Sequence, residues 1–224
     1  MPQQLSFDLP ARPALGREDF FVSPANADAV AMIEQWQGWP ARKLVLVGPP
    51  GAGKTHLAHV WAALSGAEII PARDVAAADI PRLASAPVAV EDCDTIAGDA
   101  PAEDALFHLH NLALAEGQAM LFTASAPPNR WPLALPDLAS RMQGTPAVRI
   151  APPDDQLLAA VMMKLFSDRQ LVPRPSTIPY LVRRMDRSFG AARDIVDRLD
   201  RAALATRRPV TQALARELLD KTAP

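Results

Sequence analysis

The chain has 224 residues, 49% apolar and 21% charged, with a formal net charge of −2. That length suits one large core with a smaller appendage, and the near-neutral balance lacks the basic excess of a nucleic-acid binder. A single cysteine, Cys93, excludes an internal disulfide and fits a cytoplasmic setting. No run reaches the ~18–20 apolar residues of a membrane span, and no secretory leader is expected.

Residues 1–15 contain Pro2, Pro10 and Pro13 without helical periodicity and read as an extended tail. Within it, Gln4-Leu5-Ser6-Phe7-Asp8-Leu9 spaces apolar side chains at alternate positions. Such a stretch is a frayed end, a short edge strand, or a linear peptide that docks into a partner's pocket. Phe20, Phe21 and Val22 form a small apolar cluster. Val30, Ile33 and Trp36 then recur at helical spacing, so a helix is expected to about Gln37, stopped by Gly38 and Pro40. Trp36 and Trp39 belong to the core or its edge.

The most informative stretch follows. An apolar run at 44–47 ends in Gly48, and Gly51, Gly53, Lys54 and Thr55 complete the pattern G-x-x-x-x-G-K-[ST] ahead of an amphipathic segment. Strand before and helix after are the context in which this pattern is a phosphate loop. Its glycines let backbone N–H groups close on phosphate oxygens. Lys54 reaches the β- and γ-phosphates of a nucleotide, Thr55 offers a hydroxyl to Mg²⁺, and the helix presents its positive end to the anion.

Leu57, Val60, Trp61 and Leu64 share the next helical face, which Gly66 closes. His56 and His59 could share a metal by spacing, but no third ligand is evident, so they read as surface residues. A short strand at 68–70 stops at Pro71, and a helix over 74–84 is interrupted by Pro81. Residues 87–92, Pro-Val-Ala-Val-Glu-Asp, form an apolar run ending in Glu91 and Asp92. At the end of a buried parallel strand such carboxylates lie beside the phosphates, where one orients Mg²⁺ through its water shell and the other polarises the attacking water. A helix over 102–116 carries Leu106, Leu109, Leu112 and Ala113 on one face. His108 and His110, two apart, face different sides and cannot share a metal. A strand at 119–125 ends in Thr123 and Ser125, a short helix at 137–143 carries Arg141, and a last strand spans 147–150. From 154 onwards only helical patterns appear, at about 154–170, 178–187, 190–207 and 211–221. In the third, Ile195, Val196, Leu199 and Ala203 face inwards. The arginine pairs at 183–184 and 207–208 read as solvated helix ends.

This alternation predicts a five-stranded parallel α/β sheet covered by helices on both faces, over 16–152, with a helical lid over 153–224. Nucleotide would lie in the cleft between them.

Gly-Lys-Thr-His-Leu (53–57) after a strand resembles the AAA+ P-loop ATPases of the replication-initiator branch, the DnaA family. The resemblance runs from about residue 20 to the end. It implies that Phe21 and Val22, with Asn26, line the adenine pocket, and that His56 belongs to the nucleotide site. It implies a polar sensor at Ser125, an arginine finger at Arg141 in Asp-Leu-Ala-Ser-Arg, and a γ-phosphate contact from Arg193 in Gly-Ala-Ala-Arg-Asp. The family's usual acidic pair begins with Asp; here Glu91 comes first, about one C–C bond (~1.5 Å) longer. Because Mg²⁺ geometry is strict, weak intrinsic hydrolysis is expected. The initiator's DNA-binding helix-turn-helix domain is not expected after the lid. The tail, through Gln4, Leu5, Phe7 and Leu9, resembles a sliding-clamp-binding peptide. A lone module with such a tail is similar to regulators that join the DNA-loaded clamp to the ATP-bound initiator and promote its hydrolysis. The expected partners are thus DnaA, the polymerase III clamp (beta subunit) and, through the clamp, DNA. ATP or ADP with Mg²⁺ would be the cofactors, with no membrane contact and a possible homo-oligomer. The alternative is a helicase-loader or origin-binding relative, which calls for a basic, aromatic single-strand groove; the acidic balance and 5% aromatic content speak against it. A small-molecule kinase on the same loop would leave Arg141, the lid and the tail unexplained.

Overall fold

The structure is a computed structural model and describes residues 21–220. Five strands, β1 (Lys43–Val47), β2 (Glu68–Pro71), β3 (Val88–Glu91), β4 (Met120–Ala124) and β5 (Ala147–Arg149), form one parallel sheet in the order β2-β3-β4-β1-β5. Strand β1 is central and pairs with β4 from Lys43↔Met120 to Val47↔Ala124. Both strands are buried along their whole length. That is why their sequences are continuous apolar runs without the alternation of a half-exposed strand.

The period of two nonetheless sorts the core. Leu44 and Leu46 point to one face, where they meet α1 (Ala27–Glu34) and α2 (Lys54–Ser65) through Ile33, Leu57 and Trp61. Val45 and Val47 point to the other, towards Leu106 of α4 (Ala100–Ala115) and Met142 of α5 (Pro136–Gln143). Trp39 stacks on Trp61 with centroids 5.3 Å apart, and Trp36 meets Trp61 edge-on. The indole N–H of Trp39 donates to the Met32 carbonyl at 2.7 Å, so α1 is fixed to α2 through a tryptophan group.

Two expected helices are divided. The first ends at Glu34, and Trp36–Gly38 forms a separate 3₁₀ turn. The segment over 74–84 becomes a 3₁₀ stretch, Ala72–Ala77, and α3 (Ile80–Ala84). Asp79 caps α3 by accepting from the Arg82 amide, and Pro81 sits in its first turn, where a missing N–H costs nothing.

The lid comprises α6 (Asp155–Asp168), α7 (Thr177–Val182), α8 (Phe189–Thr206) and α9 (Gln212–Asp220), with its own core around Phe166, Leu181, Val196 and Leu199. Side chains of Asp154 and Ser188 cap α6 and α8. The paired arginines are exposed at helix ends, as expected, and two of them also make contacts. Arg184 lies over the Tyr180 ring at 4.9 Å, and Arg208 forms a two-pronged pair with Glu217. No described helix is long and apolar enough to cross a membrane.

Candidate nucleotide site

The loops after β1, β3 and β4 open at one end of the sheet, and the residues predicted to hold phosphate gather there. Gly51 and Gly53 take positive φ, +73° and +101°, and the chain enters α2 at Lys54. The first helical hydrogen bond runs from the Leu57 amide to the Gly53 carbonyl, so the amides of Lys54 and Thr55 precede the ladder and face the loop. Lys54 is 8% exposed, and its Nζ donates to the carbonyls of Gly48 at 2.8 Å and Pro49 at 3.3 Å. The ammonium thus lies inside the loop's turn, and Thr55 and His56 follow on the first turn of α2. The Gly48 amide donates to the Ala124 carbonyl at 3.1 Å, tying the loop to the end of β4.

The two carboxylates after β3 differ. Glu91 ends the strand, and its Oε1 is buried with no hydrogen-bond partner. Asp92 is exposed and left-handed (φ +55°), with its amide held by the Thr123 hydroxyl at 3.0 Å. An orphaned carboxylate oxygen beside a phosphate loop fits a hydrated cation. No group of three His, Cys, Asp or Glu that could hold a metal occurs among the described residues. Thr55 and Glu91 are the groups that would hold a hydrated Mg²⁺, with nucleotide and water as its other ligands. Burial holds the Cys93 thiol well above its ordinary pKa, which keeps it protonated and unreactive.

Ser125 stands one residue beyond β4, exposed, and its hydroxyl donates to Asp94. The same Asp94 oxygen accepts from the amides of Ser125 at 3.0 Å and Ala126 at 3.3 Å. Asp94, which carries no recognisable motif, therefore anchors the segment expected to sense the nucleotide.

On the side expected to hold adenine, Asn26 is 1% exposed; its amide group donates to the Phe21 carbonyl and its oxygen accepts from the Ser23 amide. This turn leaves Phe21 and Val22 38% and 51% exposed. The Ala151 amide donates to the Ala25 carbonyl, and Ile150, just before it, bonds to Val47 and crowds Gly48. Phe21 and Val22 are thereby brought to the phosphate-loop end of β1.

The lid sits directly on the loop. The Phe189 amide, at the start of α8, donates to the Gly51 carbonyl at 2.9 Å. Arg193 is exposed about one turn further along that helix.

Arg141 lies apart from this group. It is exposed on α5, and its carbonyl accepts from Nζ of Lys43, the first residue of β1. That is the end of the sheet opposite the phosphate loop. Asp137 lies four residues earlier on the same helix, and no ion pair between it and Arg141 occurs among the described residues. Gln4, Leu5, Phe7 and Leu9 lie outside the described residues.

No protein-family profile matches the chain. Among solved structures it is similar to domain III of the Thermotoga maritima replication initiation protein DnaA. The TM-score is 0.79 at 18% identity, over 95% of this chain and 98% of that one. It is also similar to AMPPCP-bound DnaA from Aquifex aeolicus (TM-score 0.69, 16% identity, 81% of this chain and 63% of that one). A RuvB from Thermotoga maritima gives 0.66 at 16% identity, over 88% and 67%. The fold is that of an AAA+ P-loop NTPase. Within that class its fold is like that of DnaA domain III.

Proposed function

We propose that the protein binds ATP or ADP with Mg²⁺ in the cleft between the phosphate loop and the lid, and acts as a regulator of replication initiation of the Hda type. It links the DNA-loaded sliding clamp, through Gln4, Leu5, Phe7 and Leu9, to the ATP-bound initiator DnaA, and promotes hydrolysis on that partner. The setting is cytoplasmic, and DNA is contacted through the clamp.

The observation that carries this reading is the position of Arg141: exposed, without an ion pair among the described residues, and at the end of the sheet away from its own phosphate loop. A guanidinium there is out of reach of its own nucleotide and faces a neighbour. Supplied in trans, it stabilises charge on the transferring γ-phosphoryl, an effect worth roughly 10³–10⁵ in rate in GTPases. The protein's own cleft serves as a nucleotide-dependent scaffold. Lys54 and the loop amides bind phosphate, Glu91 orients water about the cation, and Arg193 and Phe189 bring the lid onto the nucleotide. Glu91 before Asp92 keeps its own turnover slow.

The test is ATP hydrolysis by the initiator alone, with this protein, and with this protein plus DNA-loaded clamp. Strong acceleration only in the last mixture supports the reading; no acceleration in any mixture refutes it.

A further inference from the structure

Lys43 opens β1 and is only 7% exposed. Its Nζ lies 3.3 Å from Nε2 of His110 and 3.2 Å from the Arg141 carbonyl oxygen. His110, on α4, is 1% exposed, and its ring stacks on Phe122 with centroids 6.4 Å apart. Its Nδ1 lies 3.3 Å from Oδ1 of Asn111. The tautomer follows from these partners: Nε2 accepts from the ammonium, so Nδ1 carries the proton and donates to Asn111. Burial, and then the charge of Lys43, push His110 down to about 4, so the imidazole is neutral and free to accept.

A buried ammonium is costly, and an apolar side chain of similar size would serve the core better. What the lysine adds is a fixed point. The Arg141 carbonyl receives Lys43 Nζ from the sheet and the Thr145 hydroxyl, at 2.8 Å, from its own helix end. At the other end of α5, Glu103 takes the Ala134 and Leu135 amides at 3.1 and 2.7 Å. Helix α5 has no side-chain cap of its own; Leu138 and Met142 seat it in the core, and these groups hold its two ends. Lys43 also places a positive charge behind Arg141, which opposes folding the guanidinium back onto the sheet.

We propose that Lys43, seated on His110, is a positioning residue that pins the Arg141 backbone and turns its side chain outward to the partner's nucleotide. The inference rests on the reading of Arg141 as a finger acting in trans.

The experiment titrates Lys43→Met, His110→Gln, His110→Leu and Arg141→Ala, and the Lys43→Met/Arg141→Ala double variant, into an initiator hydrolysis assay with DNA-loaded clamp. Maximal rate and half-saturating concentration are read separately. Lys43→Met should keep the half-saturating concentration within about twofold and lose roughly 10- to 100-fold in stimulated rate, the scale of a ~1 Å misplacement. His110→Gln, which can still accept from the ammonium, should retain most of the stimulation, and His110→Leu should not. The double variant should be no worse than Arg141→Ala. Full stimulation by Lys43→Met beside an inert Arg141→Ala overturns the positioning role and leaves the finger intact. Full stimulation by Arg141→Ala, or none by the native protein, overturns both. Should Lys43→Met fail to fold, the two His110 variants decide, and equal stimulation by them overturns the role.

Discussion

Replacing Gly51 by alanine strains the phosphate loop and pushes against the lid, and the two effects can be separated. At φ +73° a Cβ costs about 1–2 kcal/mol by itself. That Cβ would also lie 2.6 Å from Cβ and 3.1 Å from Oγ of Ser188. Carbon atoms prefer ~3.5–4.0 Å, so Ser188 must retreat by about 1 Å. The move stretches the Phe189 amide bond to Gly51, now 2.9 Å, a loss of about 0.5–1.5 kcal/mol. With some repacking the total is about 2–4 kcal/mol, or roughly 5–15 °C for a chain of this size. Gly66→Ala isolates the backbone share, because Gly66 has φ +74° and nothing within 4 Å of its would-be Cβ. Ser188→Gly removes the obstacle and costs only a few tenths of a kcal/mol as a cap change. Thermal unfolding followed by circular dichroism should order the variants with Gly51→Ala lowest. Gly51→Ala/Ser188→Gly should recover to about the level of Gly66→Ala. Equal shifts for Gly51→Ala and Gly66→Ala, or no recovery in the double variant, would refute the contact.

Three further outcomes are expected. Lys54→Ala should abolish calorimetric binding of ATP and ADP, since a charge-assisted contact to phosphate is worth roughly 1.5–3 kcal/mol and more in a dry site; unchanged affinity would contradict the loop's role. At Glu103, burial opposes ionisation, but amide donors from Ala134, Leu135 and Gly98 outweigh it and hold the carboxyl below its ordinary value. A depressed folded pKa contributes stability that is present above the unfolded value, about 4.3, and is lost as pH falls through the folded one. Glu103→Gln should therefore melt lower at neutral pH by the equivalent of roughly 1.5–3 kcal/mol, with the gap closing in acid; a gap independent of pH would count against it. Leu5→Ala with Phe7→Ala should remove clamp binding in a pull-down and spare nucleotide binding, because each buried side chain contributes about 1.5–3 kcal/mol; retention on the clamp would show the tail is not the tether.

Local pattern carried much of the architecture. The phosphate loop is a contiguous spacing of Gly48, Gly51, Gly53, Lys54 and Thr55, and its strand and helix fall where periodicity put them. The buried strands show as unbroken apolar runs, and the inward face of α8 reads directly from Ile195, Val196, Leu199 and Ala203. What pattern could not show are pairings made by topology. Asp94 meets Ser125 across 31 positions, Glu103 meets Leu135 across 32, and Lys43 meets His110 across 67. Each is a single ordinary residue with no signature of its own. His110 differs from the exposed His108 only in the side of α4 it occupies. Likewise, the seat of Ser188 on Gly51 depends on where the lid packs, which no spacing within either segment specifies.

The most direct test of the account is the rate of ATP hydrolysis by the initiator in the presence of DNA-loaded clamp and Arg141→Ala. The account predicts a variant that folds, binds clamp and binds nucleotide like the native protein, yet leaves the initiator at its unstimulated rate. Arg141→Lys should be nearly as defective, because lysine lacks the planar fork. Stimulation by both variants at the native level would contradict the account and place the activating group elsewhere.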